Sequence, residues 1–308
     1  MSWSIASITT TFNAVKVLPK QIDALLRQTT PLNEIIVVDN GSTDGTVEML
    51  EGRYPEVTVL RMPKNLGAAG GWAAGLKYAA LEKGHDWVWN LDDDSVPGDS
   101  ALELLTSGAG DLIKDDSVGM LAPLPVHEET GKCYPPLLWR DGTVFPPSDL
   151  LHEPVWFADM VIASGCLVRR EVAELAGLPP GNFFMDVFDF AYCLQVRSAG
   201  YKIAVIGKCP FFHTLGNMQE VRFLGRKIIR AEHAPWREYY KTRNLTYLVY
   251  FLYPSFSSRR FLAKTLLRHL CAVILWNTKR FEALVRMTQG FLDGRSGRLG
   301  IRFLPKQP

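Results

Sequence analysis

The chain lacks the features that mark several common protein classes. Its five cysteines contain no Cys-x-x-Cys pair, which disfavours both a structural zinc site and a disulfide framework. No apolar run reaches the roughly 18 residues of a membrane-spanning helix, because Arg268 and His269 interrupt the longest candidate. The N-terminus shows no secretory signal. We therefore expect a cytoplasmic protein.

The net charge is also close to zero, but the positive and negative residues are unevenly distributed along the chain. Residues 1–220 carry 16 Lys and Arg against 28 Asp and Glu, whereas residues 221–308 carry 18 against 4. This pattern predicts an acidic catalytic body followed by a basic region that meets an anionic surface. We place the boundary so that residues 1–233 form the catalytic domain and residues 234–308 form a basic helical region.

Apolar and β-branched runs alternate with helical patterns over the first third of the chain. Strands are predicted at 4–12, 34–39, 57–62 and 87–91, with helices at 19–28, 45–54 and 72–83. This alternation predicts an α/β fold with a mostly parallel sheet flanked by helices. Ligands of such sheets bind beyond the carboxyl ends of the strands. The polar residues expected there are Thr10, Thr11, Asp39, Asn65, Asp92, Asp93 and Asp94.

Three consecutive carboxylates follow the predicted strand at 87–91. Adjacent like charges repel one another, so they favour a site where a cation offsets them. Alternate residues of a strand face the same side, which lets Asp92 and Asp94 bind one divalent ion while Asp93 faces elsewhere. A turn and helix cap formed by Asp94, Ser95 and Pro97 is the alternative, although it explains fewer than three acids.

Two further segments are candidates for nucleotide contact. Asp39 ends an apolar strand, where a carboxylate can accept hydrogen bonds from a base or ribose; a helix cap for residues 42–46 is the alternative. Gly67, Gly70 and Gly71 allow backbone amides to approach phosphates at a helix N-terminus, and they equally allow close packing of a helix on the sheet. A dinucleotide-binding oxidoreductase would need Gly-x-Gly-x-x-Gly after the first strand, where this chain has TTTFNAV.

Together these motifs resemble a known enzyme family. ITTTFN near the start, VVDNGSTDGT from Val37, NLGAAGG from Asn65 and LDDD from Leu91 resemble the inverting family 2 glycosyltransferases, which have the GT-A fold. DWVWNLDDD resembles the galactofuranosyltransferases within that family. HTLG from His213 and YYKTRN from Tyr239 resemble the rhamnosyltransferases.

The resemblance implies roles for individual residues. Thr10 and Asp39 would contact the nucleoside of a UDP- or dTDP-sugar donor, with Asn65, Gly67, Gly70 and Gly71 nearby. Asp92 and Asp94 would bind Mn²⁺ or Mg²⁺, and Asp93 would lie beside the nucleotide or sugar. A histidine at the position of His213 would complete the metal site; a satisfied core histidine is the alternative.

An inverting transfer also needs a carboxylate that deprotonates the acceptor hydroxyl. Asp186 and Asp189 are the only acids in residues 182–203, and their spacing places them on one face if the segment is helical. The resemblance assigns the base to Asp189 and leaves Asp186 near the acceptor. Helix-cap roles for both acids are the alternative.

Residues 156–165 are predicted to supply a strand and loop beneath the acceptor. Trp156 is a candidate for stacking on a sugar ring, although a large aromatic is more often part of the core. Gly165 ends this segment and is a second candidate acceptor contact.

From residue 234 the chain shows apolar residues at helical spacing with Lys and Arg between them. One interpretation is an amphipathic appendage on an anionic membrane face, where a lipid-linked acceptor is presented. The other is a helical pair packed on the body or on a second subunit of a homo-oligomer. The basic stretch lacks the pattern of an RNA-binding module, so we expect no nucleic-acid partner.

These observations predict an inverting, metal-dependent glycosyltransferase that moves a sugar, with galactofuranose and rhamnose favoured, to a saccharide or polyprenyl-linked glycan in bacterial envelope assembly. Two alternatives belong to other classes. A sugar-nucleotide nucleotidyltransferase would carry a glycine-rich, lysine-containing loop near the first strand, and none is visible. A non-catalytic nucleotide-sugar-binding protein would release no nucleoside diphosphate.

Overall fold

The computed structural model describes residues 3–126, 136–140, 143–145, 154–212, 218–223 and 226–304. The chain forms two compact units. The first comprises Met1–Leu138, Phe145–Gly181 and Phe188–His213, and the second comprises Trp139–Val144, Asn182–Val187 and Thr214–Pro308. The boundary expected between residues 233 and 234 stays a prediction.

The strands of the described residues are β1 (Ile5–Thr11), β2 (Glu34–Asp39), β3 (Thr58–Arg61), β4 (Trp87–Asp92), β5 (Val118–Val126), β6 (Leu138–Arg140), β7 (Thr143–Phe145), β8 (Val155–Ala158), β9 (Leu167–Arg169), β10 (Lys202–Phe212), β11 (Met218–Phe223) and β12 (Arg226–Ala231). Eight of them form one sheet in the order β3-β2-β1-β4-β9-β5-β10-β8. Strand β9 runs antiparallel between β4 and β5, and β8 runs antiparallel at one edge. The predicted mostly parallel α/β sheet is therefore confirmed.

The helices are α1 (Leu18–Leu26), α2 (Thr46–Arg53), α3 (Gly67–Leu76), α4 (Ala101–Ala109), α5 (Arg170–Leu175), α6 (Phe188–Ser198), α7 (Pro235–Tyr247), α8 (Phe256–Trp276) and α9 (Arg280–Arg295). A π-helical turn, Lys77–Glu82, extends α3, and another, Leu248–Leu252, extends α7. A 3₁₀ turn follows α4 at Gly110–Lys114, and a second, Gly181–Phe183, precedes α6.

The parallel half of the sheet follows from its sequence. Strands β1, β2 and β4 are almost wholly buried, as continuous apolar runs require when helices cover both faces. The side chains of Trp87 and Trp89 are buried in the core that this sheet shares with α1 and α4. The polar ends of these strands consequently meet along one edge.

The start of α3 was predicted wrongly, because the helix begins at Gly67 rather than near residue 72. Glycine disfavours helix by about 1 kcal/mol relative to alanine, which is why the glycine-rich segment resembles a loop. In the folded chain a Cβ at Gly71 would overlap the side chain of Thr10. Close packing of α3 on β1 therefore requires glycine there and outweighs its poor helix propensity.

The second unit is helical over most of its described length. Helices α7 and α9 pack closely through Gly290 and Gly294, where an added Cβ would overlap the backbone carbonyls of Tyr239 and Arg243. Pro254 separates the turn after α7 from α8, as predicted. In the part of the chain described, no helix has both the length and the apolar character that crossing a membrane requires.

Candidate active site

The carboxyl ends of β1, β2 and β4 lie side by side. Thr10 of β1 is in register with Asp92 of β4, and Thr11 is in register with Asp39 of β2. Beyond these ends, the Asn13 backbone N–H donates to the Ser42 hydroxyl at 2.9 Å, which joins the loop after β1 to the turn after β2. The sheet thus brings together three of the segments that the sequence singled out.

Strand β4 stops at Asp92, and the next two acids lie in a turn. The Ser95 N–H donates to the Asp92 carbonyl at 3.1 Å and closes this turn. Strand alternation therefore does not place Asp92 and Asp94 on one side, contrary to the prediction, because only Asp92 belongs to the strand. Asp92 is partly buried and Asp94 is exposed. Their assignment as metal ligands stays a prediction.

Asp93 has the most perturbed environment of the three acids. Burial raises its pKa to about 6, the neighbouring charges of Asp94 and Asp92 add to the rise, and the hydrogen bond from Thr11 opposes it. The Thr11 hydroxyl donates to the Asp93 carboxylate at 2.9 Å. The raised pKa thus reflects chiefly the loss of hydration of this carboxylate, and crowding by the two adjacent acids is the smaller cause.

The donors at the end of β4 fit a hard divalent cation, because they are carboxylate oxygens. Within the described residues, no group of three His, Cys, Asp or Glu side chains is arranged as a complete metal site. His213, the predicted additional ligand, lies outside the described residues. The acids thus supply suitable chemistry for Mn²⁺ or Mg²⁺ without forming a full ligand set.

Two side chains that sequence reasoning missed hold the backbone of Asp92. The Gln21 amide donates to the Asp92 carbonyl, and the Asp92 N–H donates to the Ser164 hydroxyl at 3.2 Å. Ser164 also bonds the Ser95 hydroxyl at 3.1 Å. Gln21 left a signal in the sequence, since it is a polar residue beside Leu18 and Ile22 on the buried face of α1. Ser164 left none, because its partners are distant in the chain.

Asp39 is buried, and its carboxylate accepts the backbone N–H groups of Gly41 and Ser42 at 3.2 Å. The start of α2 is satisfied separately, because the Asp44 carboxylate accepts the Thr46 N–H at 3.1 Å. Asp39 therefore shapes the turn after β2 rather than capping α2. Its contact with a nucleoside stays a prediction.

The glycine-rich segment is tied to the same turn. The Asn65 side-chain oxygen accepts the Gly67 N–H at 2.7 Å, and the Asn40 amide donates to the Gly67 carbonyl at 3.1 Å. Gly70 and Gly71 are buried inside α3, where Gly71 serves close packing against β1. Of the two interpretations, packing is the one that the structure supports at Gly71, and phosphate contact by this segment stays a prediction.

The loop at residues 161–166 links the end of β4 to α6. The Gly165 N–H donates to the Asn90 carbonyl at 2.7 Å, and the Trp89 indole donates to the Gly165 carbonyl at 2.9 Å. On the other side, the Cys193 thiol of α6 donates to the Val161 carbonyl at 3.6 Å. Gly165 is thus bound into the structure through its backbone, and its contact with an acceptor stays a prediction.

Asp189 is the second residue of α6 and is partly buried. The ring of the preceding Phe188 packs edge-on against Trp72 of α3, with ring centroids 6.0 Å apart. Burial raises the pKa of the Cys166 thiol well above its usual value, and the charges of Cys193, Asp189 and Asp92 add to the rise.

Asp186 differs from the expectation that it shares a helix face with Asp189. It precedes α6, in the second unit, with a φ of 61°. Its carboxylate accepts three hydrogen bonds from the Arg237 guanidinium, with the closest at 2.9 Å. Helical spacing does not relate Asp186 to Asp189, because the backbone is left-handed at Asp186. A role for Asp186 at the acceptor stays a prediction.

Trp156 lies in β8 with 9% of its surface exposed. Stacking on a sugar requires an accessible ring face, so this burial favours the core alternative, and contact of Trp156 with an acceptor stays a prediction. The indole N–H has no hydrogen-bond partner within the described residues.

Comparison with known proteins extends these observations. Residues 7–134 match the family described as glycosyl transferase family 2. The dTDP-rhamnosyl transferase RfbF of Shigella flexneri is 24% identical over 302 residues, which cover 97% of this chain and 98% of that protein. The galactofuranosyltransferase GlfT1 of Mycobacterium tuberculosis is 39% identical over 260 residues, which cover 81% of this chain and 83% of that protein.

Among solved structures, that of GalNAc-T7 with UDP, GalNAc and Mn²⁺ matches with a TM-score of 0.64 at 14% identity. The match covers 96% of this chain, and the chain spans 56% of the length of that protein. At this identity the likeness shows the fold alone, and the fold is that of GT-A glycosyltransferases.

Proposed function

The chain belongs to glycosyltransferase family 2, and on that premise we propose that it is an inverting, metal-dependent enzyme that transfers a sugar from a nucleotide diphosphate to a glycan acceptor. The observation that carries the proposal is the loop at residues 161–166, which joins the acids at the end of β4 to the helix of Asp189. One short segment thereby bonds both the backbone of Asp92 and the helix that carries the candidate base.

The donor is a UDP- or dTDP-sugar bound along the carboxyl edge of β1, β2 and β4. Thr10 and Asp39 contact the nucleoside, and the segment of Asn65, Gly67, Gly70 and Gly71 lies near the donor. Asp93 lies beside the nucleotide or sugar. Two of the related proteins are named for rhamnosyl and galactofuranosyl transfer, which supports rhamnose or galactofuranose as the sugar.

Asp92 and Asp94 bind the divalent cation, Mn²⁺ or Mg²⁺, and His213 completes the set. The carboxylate chemistry of the donors supports this assignment, as does the presence of Mn²⁺ with UDP in a protein of the same fold. When bound, the metal offsets negative charge on the departing diphosphate.

Asp189 acts as the general base. In a single displacement, its carboxylate takes the proton from the acceptor hydroxyl while that oxygen attacks the anomeric carbon, and the nucleoside diphosphate leaves from the opposite face. The acceptor is a saccharide or polyprenyl-linked glycan of bacterial envelope assembly. Asp186 and Gly165 are the candidate residues for contact with this acceptor.

The proposal is tested with a panel of UDP- and dTDP-sugars in the presence of Mn²⁺. One donor is expected to raise the melting temperature by several degrees, because a ligand that binds only the folded state stabilises it by mass action. The same donor should release nucleoside diphosphate when a glycan acceptor is added. If no donor in the panel stabilises the protein or yields nucleoside diphosphate, the proposed function is wrong.

The second unit is proposed to contact an anionic membrane through α8 and α9. The exposed apolar residues of these helices include Leu267, Leu275, Phe281 and Leu292. Exposed Arg and Lys residues lie on α8, namely Arg259, Arg260, Lys264 and Arg268. Apolar side chains combined with positive charge are typical of helices that lie on anionic lipid.

The Phe281→Glu variant is expected to reduce binding to vesicles that contain phosphatidylglycerol by about tenfold, since it replaces an 81% exposed aromatic with a like charge to the lipid. Vesicle sedimentation measures the effect. Leu175→Glu in α5 of the first unit is the matched control, because Leu175 is 73% exposed. Equal vesicle binding by the two variants would contradict membrane contact. Association of the protein with a second copy of the chain and not with vesicles would contradict it as well.

A further inference from the structure

The segment Asn182–Val187 has an unusual backbone. Phe184, Asp186 and Val187 have φ values of 65°, 61° and 66°, and the only other non-glycine residue with positive φ in the described part of the chain is Asn13. This conformation is disfavoured for most L-residues and especially for the β-branched side chain of Val187. Such strain persists only where surrounding contacts impose it.

The first of these contacts comes from Arg243 of α7, whose side chain is completely buried. Its guanidinium donates to the Phe183 carbonyl at 2.8 Å, to the Asn182 carbonyl at 3.3 Å and to the Gly300 carbonyl. The same group lies 4.7 Å from the ring centre of Tyr240. Burial lowers the pKa of Arg243, which reflects the cost of enclosing a cation.

The second contact comes from the neighbouring Asn244, which is also completely buried. Its amide nitrogen donates to the carbonyls of Phe183 at 3.0 Å, Met185 at 2.7 Å and Asp186 at 2.9 Å. Its side-chain oxygen accepts the Arg243 Nε–H at 2.9 Å, and this bond fixes the orientation of the amide. One side chain therefore binds the backbone on both sides of Phe184 and again at Asp186, directly before Val187.

The third contact is the pair between Arg237 and Asp186. The guanidinium bonds both carboxylate oxygens at distances of 2.9–3.1 Å. Paired contacts of this kind restrict orientation as well as distance. Arg237, Arg243 and Asn244, which we name the carbonyl clamp, together hold a segment that its own backbone preferences would not form.

We infer that the carbonyl clamp positions the segment from which α6 begins, and that Arg243 and Asn244 are positioning residues for the base Asp189. Val187 is followed directly by Phe188, the first residue of α6, and Asp189 is the second. The backbone direction at Val187 therefore sets how the chain enters the helix that carries the base. This inference rests on the proposed function and adds to it a purpose for the YYKTRN motif.

The arrangement has two costs in free energy, the burial of the Arg243 charge and the backbone strain at Val187. An apolar side chain of similar volume would fill the place of Arg243 without burying a charge, and glycine would adopt the backbone of Val187 without strain. Strained residues and buried polar networks concentrate where a precise geometry is needed, and a misplacement of about 1 Å costs about 100-fold in rate. The carbonyl clamp fixes the backbone at Asp186, three residues before Asp189.

Asn244→Asp tests the inference, because it keeps the shape of the side chain and removes both donated hydrogens. Hydrogen exchange of a peptide from residues 182–190 is expected to become at least about tenfold faster, while a peptide from β1 is unchanged. With the donor identified above, kcat for sugar transfer should fall about 100-fold, with KM for the donor within about threefold of the wild-type value.

Thr246→Val is the matched control on the same helix. Thr246 is also completely buried, and its hydroxyl bonds the Thr242 carbonyl within α7 at 2.7 Å. This variant should lose a buried hydrogen bond yet retain the wild-type kcat and exchange in 182–190. If Asn244→Asp does not fold, Arg237→Gln decides the question, since the side chain of Arg237 is 36% exposed.

Unchanged exchange in residues 182–190 of a folded variant would overturn the clamp itself. Faster exchange with an unchanged kcat would overturn the positioning of Asp189. The exchange experiment needs no substrate, so it tests the clamp even if the wild-type protein transfers no sugar, and that last result would count against the proposed function alone.

Discussion

Asp189→Asn is expected to reduce sugar transfer by about 10²- to 10⁴-fold, the usual contribution of a positioned general base. The amide keeps the size of the carboxylate and cannot take a proton, so the acceptor hydroxyl would attack without losing its proton to the enzyme. Donor binding should be retained, because Asp189 acts on the acceptor. Release of nucleoside diphosphate measures turnover, and calorimetric titration with the nucleoside diphosphate measures binding.

The matched control for this variant is Glu34→Gln. Glu34 is the first residue of β2 and lies at the opposite end of that strand from Asp39. Its carboxylate bonds the His85 ring at 2.9 Å. The substitution makes the same carboxylate-to-amide change outside the candidate site and should leave kcat at the wild-type value. Turnover by Asp189→Asn within about threefold of wild type would remove the base assignment.

The second large effect is expected at the end of β4. Asp92→Asn and Asp94→Asn should each weaken binding of the nucleoside diphosphate in Mn²⁺ by about 10- to 100-fold, because each removes a charged oxygen ligand from a hard cation. Removal of metal with a chelator should weaken binding to wild-type protein similarly and should change the binding of the variants much less. Calorimetric titration with and without Mn²⁺ measures both effects.

Asp99→Asn is the control for the metal variants. Asp99 is an exposed acid that follows the same turn and pairs with Arg27 at 3.2 Å, with 57% of its side chain accessible. It should bind the nucleotide as wild type does, with the same response to Mn²⁺. If Asp92→Asn and Asp94→Asn keep the full Mn²⁺ dependence, these carboxylates are not the ligands.

Local patterns predicted the parallel half of the sheet well. The bounds of β2 agree with the prediction at both ends, and β4 differs by the single residue Asp92. Continuous apolar runs bounded by turn residues carry this information, because a strand covered on both faces needs apolar side chains throughout. Helix bounds were less accurate, above all at Gly67, where contact with Thr10 outweighs the intrinsic preference of glycine.

Local sequence patterns could not predict the relative positions of Asp186 and Asp189. Helical spacing places them together, whereas contacts from Arg237, Arg243 and Asn244 hold Asp186 in a left-handed conformation before the helix begins. These partners lie some 50 or more residues further along the chain. Propensity reasoning uses only neighbours in sequence, so it cannot anticipate such a conformation.

By itself the sequence determined the strands, the polar residues at their carboxyl ends and the order of the motifs, because these depend on side-chain chemistry over a few neighbouring positions. Only the tertiary structure decided that Gly71 serves packing and that residues 161–166 connect β4 to α6. Each of these outcomes depends on contacts between residues far apart in the chain, whose free energies exceed the local preferences from which a pattern is read.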